Sequence, residues 1–170
     1  MRYLLATAAA LPLLSGCSSS WQTFHANRIT VRYPQTWFAT RSALTPVTSP
    51  AQVLAVASYR LPRVRGDANG CEPKEALDRL PAKGALVFAW EYPNAGQLGR
   101  PREDFRRRPE HFSLGHVESN ECFGPSYGFA LEDGGRFFEI HVVLGRDATG
   151  ETRAAVLRIL DSFRAKPRRR

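Results

Sequence analysis

Alternating and continuous apolar segments predict a sheet in the first half of the chain. Residues 29–33 alternate apolar and polar positions, which is typical of a half-buried strand, and Pro34-Gln35 turns the chain into a second strand over 37–41. These two strands are expected to form a hairpin. A further strand is predicted over 53–61. Residues 85–92 are strongly apolar and aromatic, with Glu91 as the exception, which predicts a central strand buried on both faces.

A strong hairpin signal follows in the second half. Strands are predicted over 127–131 and 137–144, joined through Asp133-Gly134-Gly135, because glycine accepts the positive φ that such turns require. In the second strand, the residues assigned to the core are Phe138, Ile140, Val142 and Leu144. The residues assigned to the opposite face are Phe137, Glu139 and His141. We interpret His141 as a surface histidine with a carboxylate neighbour.

Two helices are predicted among these strands, together with a short strand over 111–115. Pro73 suits the first turn of a short helix, which Pro81 ends. Apolar residues at helical spacing predict an amphipathic helix over 151–163 that packs on the sheet. The fold class expected is therefore α+β, a mostly antiparallel β-sheet with one inserted short helix and a C-terminal amphipathic helix packed on it.

The first residues have the layout of a secretory leader. Arg2 precedes an apolar stretch over residues 3–14, which is too short for a transmembrane helix. Leu14-Ser15-Gly16-Cys17 resembles the lipobox of bacterial lipoproteins. The resemblance implies a diacylglyceryl group on Cys17, cleavage before it, and a lipid-anchored protein on the extracytoplasmic face of the cell membrane. An ordinary secretory signal cut near residues 8–10 is the alternative.

Removing residues 1–16 leaves 170 − 16 = 154 residues, the size of one domain. We expect the lipidated cysteine and a short tether over 17–27, a single α+β domain over 28–165, and a frayed basic tail over 166–170. The net charge is +8, or +7 once Arg2 is lost with the leader. This charge favours an anionic lipid or a cell-wall polymer as partner, and nucleic acid is not expected outside the cytoplasm. A solvated arginine-rich surface would explain the charge equally well.

Cysteine usage agrees with export. With Cys17 assigned to the lipid, Cys71 and Cys122 remain as an even pair in an oxidising compartment, which predicts one disulfide. A metal site is a poor rival, since neither cysteine has a second cysteine or histidine at ligand spacing. No metal and no cofactor are assigned.

An arginine-rich segment is the best candidate contact surface. Residues 93–109 are expected to form a long irregular loop, and its arginines could pair with phosphates or carboxylates while Phe105 reaches the bilayer. The arginines assigned to this anionic contact are Arg100, Arg102, Arg106, Arg107 and Arg108. A solvated loop, partly neutralised by Glu103 and Asp104, is the alternative.

One segment has the pattern of a catalytic motif. Gly124-Pro125-Ser126-Tyr127-Gly128 matches the G-x-S-x-G elbow of serine hydrolases, in which a strand-to-helix turn exposes the serine. The flanking sequence predicts a strand that enters a hairpin, and Asp133 and His141 lie too close along the chain for a hydrolase triad. We therefore assign no catalytic residues.

Both ends of the domain resemble a known family. Residues 29–37 are similar to the opening hairpin of PsbP-like domains, and Ile159-Leu160-Asp161-Ser162-Phe163 is similar to their closing helix. The long loop and the cysteine pair depart from that pattern. The resemblance implies a non-catalytic binding or envelope assembly module. A serine hydrolase using Ser126 and a purely structural envelope protein are the alternatives.

Overall fold

A computed structural model describes residues 20–63, 70–94, 96 and 102–168. The strands are β1 (Trp21–Ala26), β2 (Ile29–Pro34), β3 (Phe38–Thr40), β4 (Ala51–Ala57), β5 (Ala85–Tyr92), β6 (Arg106–Arg107), β7 (Glu118–Asn120), β8 (Gly124–Asp133), β9 (Arg136–Leu144) and β10 (Arg164–Ala165). The helices are α1 (Lys74–Asp78) and α2 (Gly150–Ser162), with a 3₁₀ turn at Arg102–Asp104.

The described strands form a small sheet and a large one. The small sheet has the order β1-β2-β10, and the large sheet has the order β3-β4-β5-β9-β8-β6, with β7 paired to β8. Every pair is antiparallel except β6 with β8, which is parallel. With a short inserted helix and a C-terminal helix, the architecture is the α+β class that the sequence predicts.

Helix α2 and the small sheet cover one face of the large sheet. The Thr149 side chain accepts a hydrogen bond from the Thr152 N–H and so caps the start of α2. Val156, Ile159 and Leu160 on α2 are buried in one apolar cluster with residues of β2, β4, β5 and β9. The core residues predicted on the second hairpin strand, Phe138, Ile140 and Val142, belong to this cluster, and Leu144 packs against it.

The opposite face of the large sheet is buried as well. Phe88, Trp90 and Phe123 form a second cluster there, with mutual ring-centroid distances of 5.1–5.3 Å. The predicted disulfide joins Cys71 to Cys122 beside this cluster, with 5.2 Å between the two Cα atoms. All eight residues of β5 are buried, which confirms the prediction of a central strand covered on both faces.

The structure corrects the predicted start of the domain. Residues 21–26, expected within the tether, form β1, which pairs with β2 along its whole length. The predicted hairpin between 29–33 and 37–41 is wrong, because β2 pairs with β1 and β10 whereas β3 pairs with β4. The turn after Pro34 therefore carries the chain from one sheet to the other.

Two further segments differ from the predictions. Residues 111–115 do not form a strand, since the Phe112 N–H donates to the Asp161 carboxylate rather than to a neighbouring strand. The start of the basic tail is docked rather than frayed. The Lys166 N–H donates to the Arg28 carbonyl, and the Arg168 guanidinium lies 2.8 Å from the Glu91 carboxylate. These contacts fasten residues 166–168 to both sheets.

Candidate functional site

The predicted arginine run is held on the edge of the large sheet. Arg106 and Arg107 form β6, whose parallel register places them beside Leu131 and Glu132 of β8. The next residue continues this pairing, because the Arg108 N–H donates to the Glu132 carbonyl over 3.0 Å. Residues 106–108, predicted as part of an irregular loop, are therefore fixed by backbone hydrogen bonds.

This edge borders a groove of about 440 Å³ between β6, the β8–β9 turn and β10. Three guanidinium-bearing residues line it: Arg107, Arg108 and Arg164. Glu132, Asp133 and the Gly134-Gly135 turn complete the lining. Both glycines have positive φ, +60° and +70°. At Gly134 a Cβ would collide with the Ala165 carbonyl, so this turn can approach β10 only with glycine there.

Acidic residues of the groove have partners of their own. An Asp133 carboxylate oxygen accepts a hydrogen bond from the Ala165 N–H over 2.6 Å. Glu132 lies 3.4 Å from the guanidinium of Arg102, a residue that does not line the groove. The arginines, by contrast, make no ion pair with either acid among the described side chains. The groove therefore contains three cationic groups, and its two acidic groups are partly engaged by residues other than these arginines.

Arg108 is the arginine of this groove whose pKa departs from its ordinary value. Burial lowers its pKa, and the nearby positive charge of Arg164 lowers it further, against the opposing charges of Asp133, Asp161 and Glu110. Its Nη1 atom is buried and has no hydrogen-bond partner within the described residues. Holding two like charges close together is unfavourable, and an anion placed between them would relieve the repulsion.

Arg164 was not among the residues that the sequence predicts for this site. It follows α2 along the chain, and its guanidinium donates to the carbonyls of Asp161 and Phe163, contacts that leave its positive charge unneutralised. Pairing of β10 with β2 brings it beside residues 107 and 108. No local pattern could have identified Arg164, because its position depends on this tertiary pairing.

The other arginines of the predicted contact surface are separated from the groove. Arg106 points into a neighbouring depression that includes Asp104 and Glu118. Arg102 lies over the Phe137 ring, 5.7 Å from its centroid, and Arg100 falls outside the described residues. Phe105 was expected to reach the bilayer. It is instead buried between the rings of Tyr92 and Phe137, so this expectation is wrong.

The G-x-S-x-G motif lies within strand β8. Ser126 is buried and paired in register with Glu118 of β7, and β8 continues through a tight turn into β9. A hydrolase elbow requires a helix directly after the serine, and the described chain has a strand at that point. The motif therefore lacks the backbone geometry that would expose Ser126.

His141 is a buried residue, contrary to its interpretation as a surface histidine. Its ring stacks on Phe123 at 4.3 Å, and its Nε2 atom lies 3.1 Å from a carboxylate oxygen of Glu139. The Tyr92 hydroxyl donates to the other Glu139 oxygen over 2.7 Å. Burial arises because the second cluster covers this face. His141, Glu139 and Ser126 border a small cavity of about 220 Å³, and no hydrogen bond joins Ser126 to His141 among the described contacts.

Among the described residues, no set of three or more His, Cys, Asp or Glu side chains is arranged to hold a metal ion. None of the helices in that part of the chain has the length and apolar character needed to cross a membrane.

Comparison of the chain with protein-family models, with curated proteins and with solved structures gave no match. The similarity to PsbP-like domains and to lipoproteins therefore stays a prediction from the quoted motifs.

Proposed function

We propose that this protein is a lipid-anchored extracytoplasmic module that binds an acidic polymer of the cell envelope and catalyses no reaction. The observation that supports the binding role is the groove lined by Arg107, Arg108 and Arg164. A guanidinium group pairs with a carboxylate or phosphate through two parallel hydrogen bonds, so several fixed arginines suit a chain of repeated anions.

The position of the groove favours a polymer over the headgroups of the anchoring membrane. Ser20, the first described residue, lies at the start of β1, whereas the groove lies near the far end of that strand, beside the Arg28 carbonyl that Lys166 contacts. A strand of six residues spans about 20 Å. The three residue steps from Cys17 to Ser20 would reach at most about 11 Å. With β1 directed away from the bilayer, the groove would lie about 20 Å further from the membrane than Ser20.

The first prediction concerns binding at this groove. Lipidated full-length protein in phosphatidylcholine nanodiscs should bind polyglutamate or polyphosphate, and sodium chloride should weaken the binding because it screens exposed charges. The double variant Arg107→Gln/Arg164→Gln should bind at least tenfold more weakly, since each charge-assisted hydrogen bond contributes about 1.5–3 kcal/mol. Fluorescence anisotropy of labelled polymer would measure both.

The matched control carries the same loss of charge elsewhere. Arg146→Gln/Arg153→Gln changes two arginines outside the groove and should bind within about twofold of the parent, because these charges are exposed and screened. Equal weakening in both double variants, or no binding of either polymer, would overturn the assigned site. Weaker binding to phosphatidylglycerol vesicles in Arg107→Gln/Arg164→Gln than in Arg146→Gln/Arg153→Gln, with no binding of either polymer, would show that this groove takes a lipid headgroup instead.

A further inference from the structure

The described chain begins at one end of the molecule, against the turn that precedes β3. The Gln35 N–H donates to the Ser20 carbonyl over 3.0 Å, and the Gln22 side-chain amide lies 3.5 Å from the Trp37 carbonyl. These contacts tie the start of the domain to residues 35–37. Any anchor attached a few residues before Ser20 therefore holds this end of the molecule near its attachment point.

An exposed aromatic ring lies at the same end. Phe38 directly follows the turn and opens β3, the edge strand of the large sheet, and 43% of its surface is exposed. Large hydrophobic residues are otherwise buried or half-buried in the described chain, apart from Val117 at 51%. Val117 precedes β7, which pairs with β8 near the other edge of the large sheet.

Three arginines share a groove with Phe38. The groove has a volume of about 450 Å³ and is lined by Arg60, Arg63 and Arg79, with Phe38, Leu61 and Pro62 among its apolar residues. None of the described lining residues is acidic. Arg79 forms an exposed pair with Glu75 on α1, whereas Arg60 and Arg63 form no ion pair with another described residue. An exposed aromatic ring within a cationic rim is the combination that suits an anionic bilayer surface.

We infer that this end of the domain, the Phe38 face, docks on an anionic lipid surface, with Phe38 inserted between headgroups that Arg60 and Arg63 contact. The inference rests on the lipid anchor of the proposed function, which would bring this face to the bilayer. It does not depend on the groove lined by Arg107, Arg108 and Arg164, hereafter the polymer groove, which lies at the opposite end of β1.

The test uses lipidated full-length protein in nanodiscs and a polarity-sensitive label. Cys17 would carry the lipid and Cys71 and Cys122 are joined, so Phe38→Cys introduces a single labelling site. Val117→Cys is the matched control, because position 117 is about as exposed as position 38 and lies away from the Phe38 face. In discs containing phosphatidylglycerol, we expect blue-shifted emission and quenching by brominated lipid from the label at 38 and not from the label at 117.

The arginines give a second comparison. Adding Arg60→Gln/Arg63→Gln to the labelled protein should weaken docking about 30-fold, at roughly 1 kcal/mol for each arginine, and so abolish the blue shift. Phosphatidylcholine discs should abolish it as well. Equal emission from the labels at 38 and 117, or a shift insensitive to both changes, would overturn the docking face.

Mass spectrometry of the same samples separates failure of the anchor from failure of the docking face. A lipidated protein whose label at 38 stays in water disproves the docking face and leaves the anchor standing. A protein without the lipid disproves the anchor.

Discussion

At the level of single residues, a buried ion pair lies within the large sheet, and one of its members also contacts the small sheet. Arg136 donates to both carboxylate oxygens of Glu91 over 2.7–2.8 Å, and both side chains are almost fully buried. Arg136 also donates to the Asn27 carbonyl in the β1–β2 turn. Burial raises the pKa of Glu91, but the hydrogen bonds and charges of Arg136 and then Arg168 outweigh it and hold the pKa below its ordinary value.

This lowered pKa predicts a stability that depends on pH. A carboxyl whose pKa is lower in the folded state stabilises the fold above its unfolded value of 4.5, and that contribution is lost as the pH falls through the lower folded value. Glu91→Gln should lack this acid-dependent loss and should unfold at pH 7 with a free energy about 3–5 kcal/mol lower, because Arg136 stays buried without its charge partner. Urea unfolding followed between pH 7 and pH 3 measures both effects.

The control for Glu91 is an exposed carboxylate. Glu75→Gln removes the solvent-exposed pair with Arg79 and should lower the unfolding free energy by at most about 0.5 kcal/mol at any pH. If Glu91→Gln lost stability on acidification as steeply as the parent, Glu91 would not be the titrating group. Arg168→Gln removes only the outer partner and gives a folded variant for comparison if Glu91→Gln does not fold.

At the level of elements, the disulfide is predicted to stabilise the face of the large sheet that carries Phe88, Trp90 and Phe123. It closes a loop with a sequence separation of 51 residues, which the chain-entropy model equates with about 4 kcal/mol. Replacing both cysteines by serine should lower the unfolding free energy by roughly this amount, as measured by urea denaturation. Reduction of the parent protein should have the same effect. Unchanged midpoints after either treatment would contradict a stabilising role.

Elements with a strong local pattern could be predicted, whereas those that depend on distant partners could not. Strand β5 is apolar or aromatic except at Glu91, and the β8–β9 turn contains Gly134-Gly135, so both were predicted correctly. The β1–β2 hairpin escaped prediction because its turn residues, Asn27 and Arg28, adopt positive φ without a glycine. The burial of His141 also could not be foreseen, since Phe123 stacks on it from another part of the chain.

The same reasoning applies to the candidate site. The run at residues 106–108 was visible as a cluster of positive charge, but its attachment to β8 depends on pairing between strands far apart in the sequence. Arg164 joins it only because β10 pairs with β2. Local sequence could thus suggest an anionic ligand, and tertiary structure decides which arginines share one groove.

At the scale of the whole molecule, the two charged regions lie at opposite ends of β1. The Phe38 face is beside Ser20, and the polymer groove is beside the β1–β2 turn. A protein anchored near Ser20 could therefore contact the bilayer with one end and present the other to the envelope. Binding of polymer and docking on lipid should accordingly occur together without competition.

This arrangement depends on Cys17, which lies outside the described residues. Cys17→Ala should prevent addition of the diacylglyceryl group and shift the protein from the membrane fraction towards the soluble extracytoplasmic fraction, because two acyl chains anchor stably whereas protein contacts alone bind reversibly. The Cys71→Ser/Cys122→Ser variant is the matched control, since it removes two other cysteines and should still acquire the lipid. Fractionation with mass spectrometry of the amino terminus measures both variants. Full membrane retention of Cys17→Ala after a high-salt wash would show that something other than this lipid holds the protein in place.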